Sequence, residues 1–211
     1  MLALDVSSSV DEVEDALQRG GLAAALIAPE VQQAFLSGDL PVALAAYEWS
    51  GRWNQEVLLD WVLIGSAGDL VTAAETIGRS KRSHNDFPTA MGYALGFGAG
   101  MLDAGPVCDR RVIDMAGDGE NNEGFLPSAA YREFNFAETV VNGLVVNAAD
   151  YEAEVSLVEF YRREVLHGPG AFLEVATGFE DYERAMRIKL EREVRPRAVG
   201  ALTVQGGMPP G

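Results

Sequence analysis

Asp5, Ser7 and Ser9 stand at alternate positions just where the first apolar run of the chain, Met1–Leu4, comes to an end. A carboxylate followed by closely spaced hydroxyls is a hard-donor set. It suits Mg²⁺ or Mn²⁺, since Mg²⁺ takes oxygen ligands in octahedral geometry and usually keeps several waters. Two more oxygen donors are candidates for the same site: Thr89, at the start of a predicted Gly- and Ala-rich helix, and Asp118, just past an apolar run ending at Ala116. The hydroxyls are neutral, so a cation held by Asp5, Ser7, Ser9, Thr89 and Asp118 keeps net positive charge. Helix N-termini after Ser9 and at Thr89 add to that potential. With few direct protein ligands, such a cation has room for an acidic group from another molecule.

Simpler readings compete for each piece. Ser9 could serve only as a helix cap, and Asp118-Gly119 only as part of a turn rich in Asp, Gly and Asn. Asn121, Asn122 and Glu123 are read as turn residues, not ligands. The loop is not a calcium EF-hand, because Glu123 stands where Gly is required and Ala129 where Glu is required. Gly96-Phe97-Gly98-Ala99-Gly100 lies inside a predicted helix and does not follow a strand, which points to close helix–sheet packing and not to a nucleotide loop. Asp11, Glu12, Glu14 and Asp15 read as a solvated helix N-terminus. His84 and His167 read as surface residues, with no nucleophile motif beside either. Asp86 and Glu120 are candidates for a supporting or specificity role beside the metal.

The elements that must position these residues follow from periodicity. After the first strand, Val10, Val13, Ala16 and Leu17 recur at helical spacing. Leu22–Ile27 and Val31–Leu36 are further helical turns broken at Pro29, and Gly20-Gly21 is a point of weakness or bending. Val42–Trp49 is a nearly continuous apolar strand, as in a parallel sheet buried on both faces. Its link to Glu56–Ile64 is too short for a crossover, which predicts an antiparallel hairpin with Val57, Leu59, Trp61 and Leu63 on one face. Helices are predicted at Leu70–Arg79, Thr89–Leu102 and Pro127–Thr139. Another carries Tyr151, Val155, Val158 and Arg162 on one face, and a last one is striped by Phe179, Tyr182, Met186 and Leu190. Further strands are predicted at Val107–Ala116, Val140–Val146 and Ala171–Ala176. Strands alternating with helices give an α/β fold: an open, mostly parallel, doubly wound, Rossmann-like sheet with helices on both faces and one antiparallel edge strand. In such sheets ligands bind beyond the carboxyl ends of the strands, at the point where strand order reverses. A single domain is expected over 1–194, with a weakly ordered tail at 195–211.

Composition narrows the partners. The 211 residues carry 32 acidic and 16 basic side chains, a formal charge of −16. That balance repels phosphate backbones and argues against nucleic acid. No apolar run reaches the length of a transmembrane helix. The lone cysteine, Cys108, excludes an intrachain disulfide and reads as a small buried hydrophobe.

Taken together, Asp5-Val6-Ser7-Ser8-Ser9, Thr89 ahead of Ala90-Met91-Gly92-Tyr93-Ala94-Leu95, and Asp118-Gly119 resemble the metal-ion-dependent adhesion site of von Willebrand factor A domains, in order and in spacing. Gly117-Asp118-Gly119-Glu120-Asn121-Asn122 and Asn142-Gly143-Leu144 resemble more narrowly a bacterial branch of that superfamily, DUF1194. The resemblance implies that Asp5, Ser7 and Ser9 hold the metal directly or through water, with Thr89 and Asp118 completing the site. It implies a non-enzymatic module with no catalytic residues, gripping a protein ligand that presents an Asp or Glu carboxylate. It also implies an exported protein, periplasmic or secreted, with no signal peptide in this chain; a leader could have preceded Met1, and a cytoplasmic location stays open. Two alternatives are a metal-dependent hydrolase of phosphate esters, with Asp5 or Ser7 as nucleophile, and a structural subunit whose metal site is vestigial.

Overall fold

Strand β1, Leu2–Asp5, is buried at every position, as a central parallel strand must be. Its neighbours in the computed structural model, which describes residues 1–147 and 151–195, are β2 (Val42–Trp49) on one side and β4 (Arg111–Gly117) on the other, both parallel to it. β3 (Gln55–Ile64) pairs antiparallel with β2 and forms one edge. β5 (Thr139–Val146) and β6 (Leu173–Ala176) continue the parallel sheet beyond β4. The order is therefore β3-β2-β1-β4-β5-β6. The expected architecture is found, down to the single antiparallel edge strand, and strand order reverses across β1, between β2 and β4.

The two-residue repeat of strands divides the core between two faces. Leu2, Leu4, Leu44, Leu144 and Val146 pack on one side with residues of α1 (Glu12–Ile27), α2 (Pro29–Phe35), α3 (Ala67–Gly78) and α7 (Tyr182–Val194). Ala3, Tyr47, Met115, Val141 and Val145 pack on the other with residues of α4 (Met91–Ala104), α5 (Pro127–Glu133) and the α6 segment, Tyr151–Phe160, which continues as a π-helical turn, Tyr161–Val165. Phe179, Tyr182, Met186 and Leu190 are all buried, as their spacing predicts. The Gly-rich run of α4 packs closely at two of its three glycines. A Cβ at Gly96 would lie 2.8 Å from the Phe134 ring and one at Gly98 2.8 Å from the Tyr47 hydroxyl, whereas Gly100 faces open space.

Several expectations need correction. Helix α1 runs unbroken through Gly20-Gly21. The register of β3 slips twice against β2, so Val57 and Leu63 are exposed while Leu59 is buried, and the uniform alternating face is lost. β4 begins only at Arg111, and Cys108 in the loop before it is exposed, not buried. α5 stops at Glu133, because buried Phe136 turns in against Tyr131 and His167. Helix α4 starts at Met91, leaving Thr89 and Pro88 in the preceding loop. In α6 and its extension the buried face is Leu157, Phe160, Tyr161 and Val165, while Val155 is exposed. Asp15 is not solvated but buried, paired with Arg19 at 2.9 Å. His167 is half-buried and stacks on Tyr131 at 4.2 Å. The expected tail lies, beyond Arg195, outside the described residues.

A buried ion pair joins α7 to the sheet. Lys189 of α7 contacts Asp114 of β4, both essentially inaccessible, and Glu193 lies 3.5 Å from the same ammonium. Asn142 links this group to the next strand, donating to Glu193 at 3.3 Å and accepting from the Phe172 amide at 3.1 Å. Burial pulls the lysine down to about 8, opposed by the charge of Glu193. Removing one partner strands the other as an unpaired buried charge. Lys189→Met alone is expected to cost about 3–5 kcal/mol in urea denaturation, and Lys189→Met with Asp114→Leu to recover most of that loss.

Candidate metal centre

Asp5 is the last residue of β1, and the chain then leaves the sheet in a short loop before α1. Asp11, not Ser9, caps that helix: its carboxylate accepts from the Val13 and Glu14 amides, and Glu14 reaches back to the Asp11 amide at 2.8 Å. This capping box satisfies the helix start and leaves the Ser9 hydroxyl available. That hydroxyl donates to Asp118 Oδ1 at 2.8 Å and lies 3.2 Å from the Ser7 hydroxyl. Asp5 Oδ1 accepts the Ser7 amide at 2.8 Å. Asp118 follows β4 directly, so the end of β1 and the end of β4 meet at the reversal of strand order.

Thr89 reaches the same place from the loop before α4. Its carbonyl accepts the Asn122 and Glu123 amides at 3.0 and 3.1 Å, and its own amide donates to Asn122 Oδ1 at 2.8 Å. The Asn-rich turn after Asp118 thus holds Thr89, in keeping with its reading as structural. A Cβ on Gly119 would sit 3.6 Å from Thr89 Oγ1 and 3.9 Å from Ser9 Oγ. The absence of a side chain there keeps the space between these hydroxyls open. All five candidates, Asp5, Ser7, Ser9, Thr89 and Asp118, therefore gather at one sheet edge. Of the two suggested neighbours, Glu120 accepts from the Ser156 hydroxyl at 2.5 Å, and Asp86 is exposed on its loop.

The electrostatics fit a cation. Asp5 is fully buried and its Oδ2 has no hydrogen-bond partner. Burial, reinforced by the charge of Asp118, pushes its carboxyl up from 3.8 to about 8, against hydrogen bonds from Ser7 and the charge of Arg82. Asp118 is raised as well, chiefly by burial and against the Ser9 hydrogen bond. Near Asp5 Oδ2 the chain is close-packed: a Cβ on Gly117 would come within 2.8 Å of it and within 2.7 Å of the Tyr161 hydroxyl. That phenol is buried without a partner and held well above its usual range, first by burial and then by the charges of Asp5 and Asp118, so it remains a donor. Among the described residues no group of three or more His, Cys, Asp or Glu is placed to share a metal. Two carboxylates with neutral hydroxyls are the donor set here, and it fits a hard divalent ion.

Residues absent from the sequence reading hold the loop in place. The Arg82 guanidinium donates to the carbonyls of Val6 and Ser7 at 2.7 and 2.8 Å, and also to those of Val10 and His84. Its loop is anchored by Glu48, buried on β2, which accepts from Ser83 and from Arg19. Arg19 in turn grips Asp15 through Nε and the Ser80 hydroxyl at 2.7 Å. Gln18 donates to the Asp5 carbonyl at 2.9 Å. Glu48 was the one available signal: a charge inside an otherwise apolar buried strand requires a partner.

A six-stranded sheet with this order, helices on both faces and loops converging beyond β1 and β4 defines the chain as a von Willebrand factor A fold. Solved structures agree. Proximal thread matrix protein 1 from the mussel byssus superposes with a TM-score of 0.62 at 13% identity over 90% of this chain and 45% of its own. A form of that protein is described as having a zinc-occupied MIDAS motif, with a TM-score of 0.60 at 12% identity over 90% of this chain and 46% of its own. A von Willebrand factor type A protein from Catenulispora acidiphila gives 0.57 at 15% identity, over 90% of this chain and 41% of that one. An aerotolerance-related membrane protein from Bacteroides fragilis gives 0.53 at 16% identity, over 91% and 98%. The chain thus spans less than half the length of the first two proteins. No protein with a curated description matches it. The family model described as protein of unknown function (DUF1194) matches residues 1–198, and the chain belongs to that family.

A carboxyl held above its unfolded value keeps a proton in the folded state that the unfolded chain has released. Through Asp5 the metal-free fold therefore loses stability as pH rises between 3.8 and about 8. In chelator, the melting temperature of Asp5→Asn is expected to fall less than that of the unaltered protein between about pH 6 and pH 8. Thermal denaturation at several pH values checks this.

Proposed function

We propose that the chain is a non-enzymatic protein-binding module that uses a divalent cation to grip an Asp or Glu carboxylate on a protein partner. The observation that carries this reading is the buried Asp5 carboxylate, with one oxygen unpartnered, beside Asp118 and three hydroxyls at the reversal point of the sheet. Asp5, Ser7, Ser9, Thr89 and Asp118 would hold the ion, directly or through water. The all-oxygen set favours Mg²⁺ or Mn²⁺, since zinc is usually bound through nitrogen and sulfur. The zinc-occupied site of the mussel protein supports a divalent ion in this place. When bound, the ion supplies positive charge and a coordination position for an external carboxylate. The chain's own residues do the rest: Arg82 fixes the loop carbonyls, the Ser9–Asp118 bond ties the ends of two strands together, and Gly119 keeps the approach open.

An adhesive or matrix role in an exported protein accords with the byssal origin of one structural neighbour and the membrane association of another. Among the described residues no helix is long and apolar enough to cross a membrane.

Mg²⁺ at about a hundred times its dissociation constant should add about 2.7 kcal/mol to stability, which for a domain of this size raises the melting temperature by about 5–10 °C. Asp5→Ala and Asp118→Ala should lose that gain, and chelator should reverse it in the unaltered protein. A thermal scan that shows no gain in the unaltered protein, or an equal gain in Asp5→Ala, removes the basis of the reading.

A further inference from the structure

Next to the candidate metal centre lies an aromatic surface that cation binding does not use. Trp53, at the tip of the β2–β3 turn, is 83% exposed, whereas Trp49 is fully buried and Trp61 half-buried. Its ring stands edge-on to Tyr93 at 6.0 Å, and Tyr93 lies against Phe125 at 4.4 Å. The Arg52 guanidinium sits over the Tyr93 ring at 5.8 Å and pairs with Glu123 at 3.1 Å. Phe87 adds a further exposed ring on the neighbouring loop.

This surface is built into the same segments that carry the candidate ligands. Tyr93 lies in the first turn of α4, four residues after Thr89, and Phe125 follows the turn after Asp118. The two rings meet only because glycines leave room. A Cβ at Gly124, where φ is +71°, would come within 2.4 Å of the Tyr93 ring, and one at Gly92 within 2.1 Å of the Phe125 carbonyl. The Ser50 carbonyl accepts the Ala90 amide at 2.9 Å, and the Phe87 carbonyl accepts the Ser8 amide at 2.9 Å. The turn bearing Trp53, the loop bearing Thr89 and the loop after β1 are thus one hydrogen-bonded unit.

Exposed apolar clusters of this kind mark interaction sites, and Trp, Tyr and Arg are the residue types that dominate binding hot spots. Resting on the metal-site reading, we propose that the partner segment carries an aromatic side chain beside its metal-seeking Asp or Glu, and that Trp53, Tyr93 and Arg52 form the subsite for that aromatic group. The Arg52 guanidinium is paired with Glu123 and already lies over the Tyr93 ring, so a second cation gains little from that ring, while a neutral ring can stack on Trp53 and Tyr93.

The test uses labelled Gly/Ser peptides that differ only at their centre, holding a single Glu, Tyr-Glu, Lys-Glu or Tyr-Gln, with fluorescence anisotropy read in Mg²⁺ and in chelator. The Tyr-Glu peptide is expected to bind up to about tenfold more tightly than the single-Glu peptide, and more tightly than Lys-Glu. Trp53→Ala should bring Tyr-Glu down to the single-Glu level while leaving the Mg²⁺-induced thermal shift intact. Equal binding of Tyr-Glu and single-Glu, or no effect of Trp53→Ala, would each overturn the aromatic subsite without touching the metal reading; no peptide binding despite a normal thermal shift would overturn the subsite and the carboxylate grip together and leave only the metal site. Absence of the thermal shift in the unaltered protein defeats the metal reading by itself. In that case the carboxylate-linked subsite fails with it.

Discussion

The carboxylate of Asp5 is the group around which the upper edge of the sheet is arranged. β1 is the central strand of a sheet covered on both faces, and its last side chain is fully buried. An ionised carboxylate in such a place costs several kcal/mol unless compensated. The compensation inside the chain is partial: the Ser7 amide satisfies one oxygen and the other has no partner. Asp118 makes the deficit larger, since a second carboxylate opposes ionisation of the first. Two acidic groups held this close, with hydroxyls between them, are a favourable arrangement only for a proton or a cation.

The opposite end of the same sheet shows what internal compensation looks like. Asp114, four residues before Asp118 on β4, is just as buried, but Lys189 contacts it and Glu193 and Asn142 complete the network. At the upper edge the nearest strong cation behaves differently. Arg82 directs its guanidinium to four backbone carbonyls, at Val6, Ser7, Val10 and His84. It shapes the loop and contributes charge at a distance, but it forms no described hydrogen bond with either site carboxylate. The Asp15–Arg19–Glu48–Ser83 chain beneath it is likewise closed on itself. A buried carboxylate at one end of the sheet is thus met by a cation of the chain itself. In the proposed reading the fold leaves one pair of carboxylates for an ion from outside.

Much of this was legible in the residues. The strand–helix alternation, the hairpin and the five oxygen donors are all local patterns, and periodicity or spacing reports them directly. Ser9 is instructive. Its type permits a cap or a ligand, and only the neighbouring Asp11–Glu14 box shows that the helix start is already satisfied. The features that were not legible depend on contacts distant in sequence. Arg82 is one polar residue in a polar loop, and its role exists only because the loops after β1 and after α3 come together. Asp15 looked like one of four acidic residues on a helix start until Arg19 and Glu48 enclosed it. The slips of β3 against β2 likewise leave no mark in the alternation of its side chains.

In the proposed reading, the same dependence on distant contacts governs recognition. A metal ion by itself distinguishes carboxylates poorly, because every Asp and Glu offers the same two oxygens. In the proposed reading, discrimination between partners comes from the surface beside the ion, formed by the β2–β3 turn, the start of α4 and the loop after β4. Gly92 and Gly124 sit where any side chain would drive Tyr93 and Phe125 apart, so the ring platform and the positions of Thr89 and Asp118 are fixed by one packing solution. In the proposed reading, a change that loosens the rings also moves the ligands. Trp53, exposed at the tip of its turn, stands outside that packing, so it is a ring whose loss alters the fit of a partner and leaves the ion's site as it was.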